Sequence, residues 1–119
     1  MAFTKHLLCI AAIALIGSTQ HTLSASDNKQ AEREAREAEY YKRQSESYRR
    51  EAEYYLRETE SARKEAIYYI RQGNASRASD YQRRARNAIN SYQQKIDAAK
   101  RADERVDYHL QRAVNSLKR

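Results

Sequence analysis

Asp103, Asp107 and His109 are the only grouping here of residue types suited to metal ligation or proton transfer. Such chemistry needs several convergent ligands or a shielded acid–base pair, and one histidine beside two aspartates reads instead as a solvated helix edge. The paired carboxylates of the N-terminal half read as salt-bridge partners, five of its ten glutamates having a cation four residues on. No glycine-rich phosphate loop occurs, and no nucleophile stands with a base. The expectation is therefore a non-enzyme with no catalytic residue, metal ligand or cofactor.

The tyrosines carry the remaining chemical information. EAEYYKRQ (37–44) returns as EAEYYLRE (51–58) and as EAIYYIRQ (65–72), a 14-residue repeat built around a tyrosine doublet. Fourteen residues are two heptads, so each doublet presents the same two directions along a helix. Which direction is core and which is free depends on the elements that carry them.

Beyond residue 25 there is no proline and a single glycine, Gly73, among strong helix formers. Turn chemistry is available only in RQGNASRASD, where Gly73 suits the left-handed residue after a helix and Asn74 or Ser76 can cap the next one. The reading is an all-α, antiparallel two-helix hairpin, coiled-coil-like, with an alanine-rich seam. Its helices run over 28–72 and 76–118 with the turn at 73–75, each about 65 Å long.

With Ala31 at heptad position a, the first helix has Ala38, Ser45, Ala52, Thr59 and Ala66 at a, and Tyr41, Tyr48, Tyr55 and Tyr69 at d, Glu34 and Ala62 being the exceptions. Glutamates at 32, 39, 46, 53 and 60 each precede an Arg or Lys by four residues. Five such pairs would add roughly 2 kcal/mol of helix stability. The second helix, with Ala75 at a, places Ile89, Ile96, Asp103, Leu110 and Leu117 at a and Ala78, Ala85, Tyr92, Ala99, Val106 and Ala113 at d. If facing residue numbers sum to 151, the layers are Ala66/Ala85, Tyr55/Ile96, Ala52/Ala99, Tyr41/Leu110 and Ala38/Ala113. A register one turn away is the competitor.

Adjacent helical residues point about 100° apart, so Tyr40, Tyr54 and Tyr68 cannot share the seam and form a second stripe with ~21 Å spacing. A lone hairpin buries little apolar area, so this stripe is expected to meet a protein partner or a second copy, in a larger helical bundle. Arg49, Arg63, Arg86 and Lys100 gather on one basic edge, a possible site for an anionic surface such as lipopolysaccharide or a polyanion. Sixteen carboxylates weigh against nucleic acid.

Residues 1–25 read as a secretory leader: Lys5 precedes the apolar run Leu7–Gly17, and small residues follow with cleavage expected after Ala25 or Ser26. The run is shorter than the ~20 residues of a membrane span. Without the leader the chain loses its one cysteine and Lys5, leaving 22 Lys and Arg against 16 Asp and Glu, so +7 becomes +6. The expectation is a periplasmic or extracellular interaction protein, a chaperone, adaptor or spacer. Its layout resembles that of periplasmic hairpin chaperones, and the alternative is an anion-binding module.

Overall fold

The computed structural model describes residues 25–118. All of the expected leader except Ala25 lies outside the described residues. Two helices, α1 (Ala25–Arg71) and α2 (Ala75–Leu117), fold back on each other as an antiparallel hairpin. They are about 70 and 65 Å long. Among the described residues no helix is long and apolar enough to cross a membrane.

The turn uses the chemistry read from the sequence. Gly73 adopts φ of 72°, its N–H reaches the Ile70 carbonyl at 3.0 Å, and the Asn74 N–H reaches the Tyr69 carbonyl at 2.9 Å. This pair of bonds is a Schellman cap, which closes the carbonyls that a helix end leaves unpaired. Asn74, rather than Ser76, caps α2: its Oδ1 accepts from the Arg77 N–H at 3.1 Å.

The seam is made of small residues. Ala31, Ala38, Ser45, Ala52, Thr59, Ala62 and Ala66 are buried on α1, and Ala78, Ala85, Ala99, Ala102 and Ser116 on α2. The largest fully buried side chain is Thr59, whose hydroxyl donates to the Tyr55 carbonyl at 2.8 Å and so needs no partner across the seam. Tyr41, Tyr48, Tyr55 and Tyr69 are half-buried at the seam margin.

Two features differ from the sequence reading. Cross-helix partners have residue numbers adding to between 143, for Glu34 with His109, and 152, for Arg49 with Asp103. Arg105 over Tyr41, Lys95 with Glu51 and Arg112 with Glu34 all add to 146. The register therefore centres near 147, about one helical turn from 151.

The second correction is rotational. The inward rows of α2 are 78–85–92–99–106–113 and 81–88–95–102–109–116, whereas Leu110, expected in the seam, is 47% exposed. Ile89 and Ile96 are half-buried beside the seam, and Leu117 is exposed. α2 turns its alanines into the seam, with Tyr81, Tyr92 and His109 on the same inward rows, and swings its branched row aside. Close backbone approach along alanines is what this rotation secures.

Candidate functional site

Rotation of α2 gives the hairpin two unlike flanks. The first begins with the tyrosine stripe, where Tyr40, Tyr54 and Tyr68 are 48%, 51% and 54% exposed. Each ring stands edge-on against its seam neighbour: Tyr40 on Tyr41 at 5.1 Å and 78°, Tyr54 on Tyr55 at 5.3 Å and 72°, Tyr68 on Tyr69 at 5.1 Å and 77°. The 14-residue repeat thus places one aromatic pair three times at ~21 Å intervals. Edge-to-face packing holds the exposed ring in place, which lowers the entropy lost when something docks on it.

Cations from α2 border this flank. Arg105 lies 5.5 Å from the Tyr41 ring centre, and Arg77 lies 5.4 Å from that of Tyr69 while donating to its hydroxyl at 3.0 Å. Tyr40, Tyr41, Tyr48, Arg101 and Arg105 share an open groove of about 310 Å³. Lys95 crosses the seam to Glu51 at 2.6 Å and sits over the Tyr48 ring, and its bond to Glu51 raises its pKa.

The opposite flank is aliphatic. The described chain has nine Leu, Ile and Val residues, and none is fully buried. Leu56, Ile67 and Ile70 on α1, with Ile89, Ile96, Leu110, Val114 and Leu117 on α2, fall on helix rows of this side; only Val106 lies in the seam. Arg63, Ile67, Arg86 and Ile89 line one groove here, of about 390 Å³. The basic edge runs along the same flank. Arg63 and Arg86 meet in that groove, Lys100 stays exposed, and Arg49 is tied to Asp103 at 2.6 Å.

Asp103 also accepts from the Ser45 hydroxyl at 2.5 Å, and these two bonds, Ser45 first, hold its carboxyl below the usual range. Asp103 is thereby committed to α1 and turned away from His109. Among the described residues no group of three or more His, Cys, Asp or Glu gathers to hold a metal.

His109 is not a solvated edge, and the reading that placed it there is corrected. Its Nδ1 lies 2.6 Å from Glu34 Oε2, Arg112 Nε lies 3.1 Å from Oε1, and Gln30 donates to Oε1 at 2.9 Å. The Tyr41 ring stacks on the imidazole at 5.5 Å and 7°. Glu34 is only 7% exposed, and the His109 hydrogen bond, then Arg112 and Gln30, lower its pKa against the opposing effect of burial. This cluster clasps the hairpin at the end opposite the turn. Its sequence signal was Glu34 itself, a lone carboxylate at a d position otherwise held by tyrosine or alanine, which demanded a partner from α2.

Comparison with known protein families, curated proteins and solved structures gives no match for this chain.

Proposed function

We propose that the protein is an exported helical-hairpin interaction module, an adaptor or spacer that receives a protein partner along its tyrosine stripe. The carrying observation is the repetition of one braced aromatic pair, half-exposed each time, at Tyr40, Tyr54 and Tyr68. Tyrosine suits such a surface because its ring is buried on contact while its hydroxyl stays wet. Seam packing needs only the inner tyrosine of each doublet, so the seam leaves the outer one unexplained. The leader-like segment Lys5 to Gly17 supports export.

The anion-binding alternative rests on the basic edge, and that edge is weakened where Arg49 is already neutralised by Asp103. Site-specific photocrosslinking from position 54 in the native host separates the two. The expected result is a discrete protein adduct that persists at about 0.3 M salt, where exposed charges are largely screened, and that Tyr40→Ala with Tyr68→Ala weakens. Loss of all binding in salt, with indifference to the tyrosine changes, would hand the function to the basic edge.

A further inference from the structure

The tyrosine flank is one of two apolar surfaces, and the second differs in kind. Six branched aliphatics, Leu56, Ile67, Ile70, Leu110, Val114 and Leu117, are exposed, while the largest side chain that the seam buries completely is Thr59. A soluble hairpin whose side chains most costly to hydrate face water has its core on the outside. We propose that this aliphatic flank is a self-association face: two hairpins stack flank to flank about a two-fold axis parallel to the helices. Each α1 lies over the α2 of the other copy, giving an antiparallel four-helix bundle.

Charge decides for a second copy. On the outer border of this flank α1 carries Glu46, Glu53 and Glu60, and α2 carries Arg86 and Lys100. The sequence assigns each of those glutamates to a cation four residues on, yet of the five such steps only Glu32 with Arg36 closes, at 3.8 Å. Among the described residues, Glu46, Glu53, Glu60, Arg86 and Lys100 have no ion-pair partner. An axis parallel to the helices keeps every residue at its own height. In the register centred near 147, Glu60 then comes level with the partner's Arg86, and Glu46 with the partner's Lys100. An acidic border therefore meets a basic one twice, as an isologous interface requires.

Size agrees with this occupant. A flank about 65 Å long and the width of two helices about 8–10 Å apart covers roughly 1,000 Å², against ~800 Å² per partner in a stable interface. The stack covers Leu56 with the partner's Ile89 and Ile96, and it leaves both tyrosine stripes facing outward. A dimer would thus present two identical receiving surfaces on opposite sides.

Sedimentation velocity on the purified protein, with circular dichroism to monitor helicity, tests the proposal. The expected species is a dimer at micromolar concentration. Leu56→Lys with Ile96→Lys should convert it to a helical monomer, and Tyr54→Ala should leave it intact. Glu60→Arg, a border change that spares the seam, should weaken the dimer about tenfold, because two exposed ion pairs become like-charge contacts. Adding Arg86→Glu in the same chain should restore it, which keeps the test decisive if the lysine variant loses helicity. A wild-type monomer would overturn the proposal, as would a dimer that survives the lysine changes but dissociates on Tyr54→Ala. A monomer captured by phosphatidylglycerol vesicles through this flank would also overturn it, assigning the face to lipid.

Discussion

Rings at the seam margin meet rings on the other helix, Tyr41 on His109 and Tyr69 on Tyr81, and leave the middle of the seam to small residues. Ala78, Ala85, Ala99 and Ala102 accordingly face inward on α2, while Leu110 and Leu117 do not. Ala99→Leu would place a branched side chain at a fully buried position with no room for it. Urea unfolding should show a loss of ~1–3 kcal/mol, typical of overpacking, at every protein concentration. Leu110→Ala makes the contrast, since a seam leucine would cost ~2–5 kcal/mol on truncation regardless of dilution. On an exposed flank its effect should shrink toward zero as the protein is diluted and the flank uncovers. Hydrophobicity alone pointed the branched row of α2 inward, because heptad patterning ranks leucine above alanine. The close approach of the two backbones along their alanines was the deciding term, and it acts only once two helices are considered together.

At the scale of the elements, helix identity and turn position were legible because propensity is uniform on both sides of one break. Gly73 and Asn74 concentrate all the turn chemistry in two residues. A Cβ built on Gly73 meets nothing within 4 Å, so the position excludes other residues through its backbone alone, at φ of 72°. Gly73→Ala should therefore cost ~1 kcal/mol without altering the contacts, and Gly73→Asn less, because asparagine tolerates the left-handed region. Thermal melts of the two variants check the order; equal losses would mean that a steric contact governs the site. The i to i+4 charge pairs were the less legible part. Long, solvated Glu and Arg side chains gain little by closing within one helix, so their spacing did not reveal which would pair and which would stay available.

For the molecule as a whole, the two ends of the hairpin are closed by different physics. Gly73 closes one end covalently and in a manner insensitive to pH. At the other end the closure is ionic: Glu34 is held by His109 and Arg112 from α2 and by Gln30 on its own helix, and partway along the seam Asp103 is held by Ser45 and Arg49. Both carboxyls titrate below their ordinary values, so each binds fewer protons folded than unfolded between its folded pKa and the ordinary carboxylate range near 4. Their stabilising contribution is full above that range and falls away as pH drops through the lowered folded values. Hydrogen exchange followed from pH 5 down to pH 3, corrected for the intrinsic rate, should show amides of residues 27–36 and 106–116 losing protection before those beside Gly73. Glu34→Gln keeps the side-chain shape but cannot be ionised, so it should weaken the open end at pH 5 and flatten most of its pH dependence. Uniform loss of protection along both helices, or an unchanged profile in Glu34→Gln, would show that the carboxylate cluster does not close the open end.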